Sequence, residues 1–201
     1  MDMQIEGLTH PVALKLELAQ HTGSFKPRGA FNTLLASDIP AGGIVAASGG
    51  NHGAAVAYAA SRLGHRARIY VPEIAGPSKI ALIERTGADL VVVEGKYFDA
   101  FKAARAYEAE TGAIQIHAYD LNTTVAGQGT VMLEWEEQGL EADTVLIAVG
   151  GGGLIGGAIA WVNGRRKVVA IEPEECPSLH GALQAGKPVA TKAGGIAANA
   201  L

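Results

Sequence analysis

From about residue 43 onward, short apolar runs alternate with longer segments of helical pattern. Ile44–Ala47, Ala67–Val71, Leu90–Val93, Ile114–His117, Thr144–Val149 and Val168–Ile171 read as strands. They are continuous apolar runs rather than alternating ones, as expected of strands covered on both faces. Between them, Ala54–Leu63, Tyr97–Thr111, Val125–Gln138 and Leu154–Asn163 read as helices, and Pro77 opens a further helix. Gly64, Gly87, Gly112 and Gly139 stand where four of these helices should stop. Strands separated by helices predict right-handed βαβ crossovers and an α/β fold with a mostly parallel sheet. Residues 118–124 break the pattern and mark a crossing between two lobes. The smaller lobe is expected over 38–118, and the larger over 1–37 and 119–201.

Composition narrows the classes. The 201 residues suffice for one large domain or two small ones with a sizeable core. Sixteen Lys and Arg against twenty Asp and Glu give a net charge of −4, which leaves no electrostatic footprint for nucleic acid or an anionic membrane. One cysteine, Cys176, excludes an internal disulfide and a cysteine-cluster metal site. No signal-peptide profile opens the chain and no apolar run is long enough to span a bilayer, so a soluble, cytoplasmic protein is expected. His10, His21, His65, His117 and His180 have no paired metal-ligand spacing.

The 27 glycines cluster after the apolar runs, where α/β proteins place their ligand loops. Ser48-Gly49-Gly50-Asn51-His52-Gly53 lies between a strand and a helix, and the N–H groups of such a turn suit a carboxylate or a phosphate. Alone, the loop is equally well a tight turn with an asparagine cap. His52 reads more as a structural or carboxylate-side residue than as a proton shuttle. Gly150-Gly151-Gly152-Gly153, followed by Leu154, costs conformational entropy and makes sense where several N–H groups wrap an anion, most often a phosphate. Gly151, Gly153 and Gly156 also satisfy the dinucleotide-binding pattern, with Glu172 at the distance of a ribose-binding acid. A nicotinamide-dependent oxidoreductase is therefore an alternative, although it gives Lys26 no role. Gly127-Gln128-Gly129-Thr130 reads as a close packing contact within or before a helix, and Glu134, Glu136 and Glu137 as a solvated helix face.

Lys26 carries the most chemistry. It precedes Pro27, which suits a first helical position, so the lysine is held at a helix start where a cation is disfavoured. A lysine held and desolvated in this way can lose its proton and form a Schiff base with a carbonyl.

Taken together, Ser24-Phe25-Lys26-Pro27-Arg28-Gly29-Ala30, Ser48-Gly49-Gly50-Asn51-His52 and the tetraglycine loop, in this order, resemble the fold type II (tryptophan-synthase-β-like) pyridoxal-phosphate enzymes, threonine/serine dehydratase branch. The resemblance covers nearly the whole chain and implies the two-lobed parallel-sheet fold of that family. It implies that Lys26 holds pyridoxal 5'-phosphate as a Schiff base. Phe25, Asn51, Gly150, Gly151, Gly152, Gly153 and Leu154 would contact the cofactor. Ser48, Gly49, Gly50, Asn51 and His52 would take the substrate carboxylate. The implied reaction is dehydration and deamination of L-threonine or L-serine to a 2-oxo acid and ammonia, with Lys26 removing the Cα proton; serine racemization and 3-hydroxyaspartate dehydration are neighbouring activities. Some members carry a divalent cation after a Glu-Pro pair, which makes Glu172 the candidate metal ligand, with Ser178 standing where cation-binding relatives have an aspartate. A homo-oligomer is implied for the full-length form. Relatives continue past the segment resembling Gly194-Gly195-Ile196-Ala197 and start earlier. The chain is thus expected to be a fragment or a short form, poorly active and prone to self-association when isolated.

Overall fold

The computed structural model describes residues 2–195, so Ile196 and Ala197 of the last family-like segment lie outside the described residues. A parallel four-stranded sheet has the order β5-β4-β3-β6. Its strands are β3 (Ile44–Ala47), β4 (Ala67–Pro72), β5 (Asp89–Val93) and β6 (Ile114–Gln115), after the short antiparallel pair β1 (Asp2–Met3) and β2 (Val12–Ala13). β3 is central and buried at every position, which explains its unbroken apolar run. Ile44, Ala46, Ile69 and Val71 meet one core, whereas Val45, Ala47 and Tyr70 meet another.

Helices cover both faces. α1 (Lys26–Leu35), α2 (Asn51–Leu63) and α3 (Pro77–Glu84) lie on the first side, and α4 (Tyr97–Thr111) lies on the second with Ala100 and Ala104 against the sheet. α2 is packed between the sheet and α1. Ala54, Ala55, Ala57, Ala59 and Ala60 are all buried, and small side chains let the helix approach both neighbours. Gly64 ends it in the left-handed conformation at φ 77°, which glycine adopts without a Cβ penalty.

Beyond this sheet, β7 (Thr144–Ala148) and β8 (Lys167–Ile171) form a parallel pair covered on one face by α5 (Asn122–Glu137) and α6 (Gly153–Val162). Val145 and Ile147 point into that core. α5 also packs on α1, and glycines set the spacing. A Cβ on Gly127 would lie 2.7 Å from Gly29 Cα, and one on Gly129 would lie 2.7 Å from the Gly157 carbonyl oxygen. The close-packing reading of the Gly127–Thr130 segment holds.

Several boundaries differ from expectation, and one helix was not expected. β6 stops at Gln115 rather than His117, because the chain turns away after Ile116 donates to the Val45 carbonyl. α5 begins at Asn122 rather than Val125. A final helix, α7 (Ser178–Ala185), has no buried residue and therefore left no apolar stripe to find.

Candidate active site

The predicted loops gather at the carboxyl ends of the parallel strands, where α/β sheets place ligands. Lys26 is the first residue of α1, ahead of Pro27. Its Nζ donates to the Ala118 carbonyl at 3.1 Å and stands 5.0 Å from the Phe25 ring centroid. Burial alone lowers its pKa from 10.5 to about 8, because the charged form is desolvated. An amine that is partly neutral near physiological pH can attack a carbonyl carbon.

Arg28, two residues on, faces away from this chemistry. Its Nε and Nη2 donate to Glu17 at 2.7 and 2.8 Å, and Nη2 also donates to Glu134 at 2.7 Å. Lys15 joins the same Glu134. This network ties the segment before α1 to α5. Glu134 is therefore part of an ion-pair cluster rather than of a merely solvated face.

Two helix N-termini near Lys26 are suited to anions. α2 starts at Asn51, after Gly50, with no acidic residue in its first turn. The first N–H groups of a helix have no intrahelical acceptor, so those of Asn51 and His52 are available to a carboxylate. Ser48 Oγ accepts from the Gly50 N–H at 3.1 Å and shapes the loop. A Cβ on Gly49 would meet Pro72 Cδ and Val71 Cγ1 at 3.2 Å, which accounts for glycine there by close approach. Lys79, which no sequence motif singles out, reaches this loop from α3: its Nζ is 3.7 Å from where a Gly50 Cβ would sit. Its position in the first turn after Pro77 was the available signal.

The His52 ring is committed to the fold. It is 7% exposed, and its Nε2 donates to the Ile116 carbonyl at 2.8 Å. Burial first, and the Lys26 charge second, lower its pKa to about 3, so it stays neutral. His52 can therefore serve a bound carboxylate through its backbone N–H but not as a cationic ring.

α6 starts at Gly153, with Gly152 as its cap at φ 87°. No acidic side chain lies in the first turn. A Cβ on Gly152 would meet nothing within 4 Å, so the helix start borders open space at Gly152, and the first N–H groups there suit a phosphate. Gly151 is required for another reason: a Cβ there would lie 2.5 Å from Tyr119 Cγ. One on Gly153 would lie 2.9 Å from Tyr119 Cβ.

What joins these motifs is the segment 116–119, which the sequence pattern reads as the end of a strand and the start of a break in the pattern. Its Ile116 carbonyl takes His52, its Ala118 carbonyl takes Lys26, and Tyr119 packs on Gly151 and Gly153.

The oxidoreductase alternative fails on two residues. Both carboxylate oxygens of Glu172 are used at the start of α7, accepting from the N–H groups of Leu179 at 2.8 Å and His180 at 2.7 Å. Pro177 precedes that helix and has no side-chain acceptor, so Glu172 caps it from a distance. The packing glycine of α6 is Gly157, against α5, while Gly156 makes only an ordinary contact with Val125. The same capping role occupies the candidate metal ligand. Among the described residues no group of three His, Cys, Asp or Glu is placed to hold a metal ion.

Residues 4–201 match the family of pyridoxal-phosphate dependent enzymes. The chain is 39% identical over 183 residues to phenylserine dehydratase of Ralstonia pickettii, covering 89% of this chain and 56% of that protein. It is 41% identical over 182 residues to an L-threonine ammonia-lyase of Thermotoga maritima, covering 88% and 45%. The structure of maize serine racemase superposes with a TM-score of 0.84 at 35% identity, over 88% of this chain and 55% of that one. The chain spans about half the length of the curated relatives it matches. With its parallel sheets and its lysine and glycine motifs in order, the chain belongs to the pyridoxal-phosphate dependent enzymes of fold type II, in their threonine/serine dehydratase branch.

Proposed function

We propose that this chain carries the cofactor-anchoring half of an ammonia-lyase that converts L-threonine or L-serine to a 2-oxo acid and ammonia. The observation that carries the reading is the buried Lys26 amine, brought to about pKa 8 beside the 116–119 segment. The residues fit pyridoxal phosphate at both ends: an amine able to meet an aldehyde, and an acid-free helix start bordered by open space for the phosphate. When bound, pyridoxal phosphate supplies the electron sink that lets a Cα proton be lost.

The chain's own residues have distinct tasks in this reading. Lys26 anchors the cofactor through Nζ and, once that nitrogen is free, takes the Cα proton of the amino acid. Gly150, Gly151, Gly152, Gly153 and Leu154 hold the phosphate through backbone N–H groups. Asn51 heads α2 with its carboxamide directed to recognition of the cofactor and substrate. Ser48, Gly49, Gly50 and the His52 N–H shape the carboxylate loop, and the Lys79 ammonium adds attraction for a carboxylate. The β-hydroxyl then leaves as water, and hydrolysis gives the 2-oxo acid and ammonia.

Residues 38–118 serve as the smaller lobe and 1–37 with 119–201 as part of the larger one; the separation of the β5-β4-β3-β6 sheet from the β7-β8 pair supports that division. The assembled enzyme is proposed to be a homo-oligomer. The test is a coupled 2-oxo acid assay with threonine, serine and phenylserine, made with Gly152→Asp alongside. Weak turnover of threonine or serine that Gly152→Asp abolishes is expected. Turnover that survives Gly152→Asp would remove the phosphate role of the glycine loop.

A further inference from the structure

The mechanism above leaves one half-buried imidazole without a task. His117 follows β6, and its Nδ1 accepts from two backbone N–H groups, Asp120 at 3.0 Å and Tyr119 at 3.4 Å. A nitrogen that accepts carries no proton, so the ring holds its hydrogen on Nε2. Residues 117–120 are thereby closed into a turn around one side chain. The base of that turn is held as well, because Thr124 Oγ1 at the start of α5 donates to the His117 carbonyl at 3.3 Å. The Tyr119 ring stands edge-on to the imidazole, with centroids 4.6 Å apart and planes at 87°.

This turn sets two things at once. It aims the Ala118 carbonyl at Lys26 Nζ, and it lays Tyr119 on Gly151 and Gly153. We propose that His117 is a positioning residue: through Nδ1 it folds the 117–120 turn that holds the Lys26 amine and the glycine loop in register. The proposal rests on the reading of Lys26 as the cofactor lysine, but concerns how the protein holds that lysine before any cofactor binds.

The charged and titratable groups around the ring are Lys26 on α1, His52 on α2, and Tyr119 and Asp120 within the turn. Desolvation lowers the His117 pKa, Lys26 lowers it further, and Asp120 opposes them. A ring that resists protonation keeps Nδ1 free to accept, so the turn persists at neutral pH.

Opening the turn acts on Lys26 in two opposed ways. Loss of the Ala118 carbonyl destabilises the ammonium, while entry of water stabilises it. Burial is the sole cause of the lowered Lys26 pKa, and it outweighs one hydrogen bond to a neutral acceptor, so the Lys26 pKa rises on opening.

The test needs no cofactor. In the cofactor-free parent protein, long-range proton–nitrogen NMR of His117 should show the Nε2–H tautomer at neutral pH; the Nδ1–H tautomer would overturn the proposal without any substitution. The pH dependence of Lys26 acylation by acetic anhydride, read by peptide mass spectrometry, is then compared in parent, His117→Ala and His117→Asn. In His117→Ala the midpoint should rise from about 8 toward the ordinary lysine value, and a midpoint one pH unit higher leaves roughly tenfold less neutral amine at pH 7. Asn can accept the same two N–H groups through Oδ1, so His117→Asn should keep the parent midpoint. An unchanged midpoint in folded His117→Ala, or an equal rise in both variants, would overturn it. Failure of pyridoxal phosphate to bind at Lys26 would refute the function proposed above and leave these results standing.

Discussion

The Tyr119 ring occupies the space that a side chain on Gly151 would need, with a Cβ at Gly151 falling 2.5 Å from Tyr119 Cγ. One aromatic residue from the segment after β6 thus fixes where the glycine loop runs. Gly151→Ala is expected to force the ring aside, costing about 1–3 kcal/mol of stability and weakening cofactor retention. Tyr119→Ala should relieve most of that cost when combined with it. Thermal melts and absorbance titrations on the two single variants and the double variant measure the coupling. Strict additivity of the two single effects would show that the contact does not set the loop.

The lowered Lys26 pKa predicts a particular dependence of stability on pH. The folded cofactor-free chain favours the neutral amine, whereas the unfolded chain does not. Between about pH 8 and 10.5 the unfolded state binds more protons, so the Lys26 contribution to stability rises with pH across that window. Below pH 8 the full cost of burying the ammonium is present. Lys26→Met should therefore be more stable than the parent at pH 7, by about 3 kcal/mol at most, and the gap should close toward pH 10.5. A gap that is flat with pH would mean that Lys26 titrates like a surface lysine.

Much of this organisation is legible in the sequence. Ile44–Ala47 and Tyr97–Thr111 were expected with the bounds they have, because an unbroken apolar run and a glycine stop are local signals. Lys26 was legible because Pro27 fixes the helix start. What stayed hidden depends on contacts distant in sequence. Ala118 contributes only a carbonyl, which every residue has, and its importance comes from the Lys26 amine 92 positions away. α7 is capped by Glu172 from outside the helix and has no fully buried residue, with only Leu179 partly packed on the core, so neither a cap residue nor a stripe announces it. Glu172 itself looked like a ligand because chain spacing cannot distinguish an acid that meets a ribose or a cation from one that meets backbone N–H groups.

That distinction is testable. Glu172→Ala should lower stability by about 1 kcal/mol through loss of the cap on α7. Magnesium or calcium should raise the melting temperature of parent and variant equally or not at all. Stabilisation by either ion that disappears with Glu172→Ala would restore the cation site.

The β7–β8 pair buries Val145 and Ile147 but turns Leu146 and Ile171 outward, 63% and 49% exposed. Apolar side chains aligned on an open sheet face favour association. The isolated 201-residue chain is expected to self-associate with rising concentration in sedimentation experiments, and a Leu146→Lys, Ile171→Lys double variant to do so less. A parent that stays monomeric throughout would show that this face is tolerated in water.

The most direct test of the account is to incubate the chain with pyridoxal phosphate, reduce it with borohydride and map the labelled peptide. A pyridoxyl group on Lys26 is expected, preceded by absorbance in the visible range before reduction, and lost in Lys26→Met. Labelling at other lysines with none at Lys26 would contradict it.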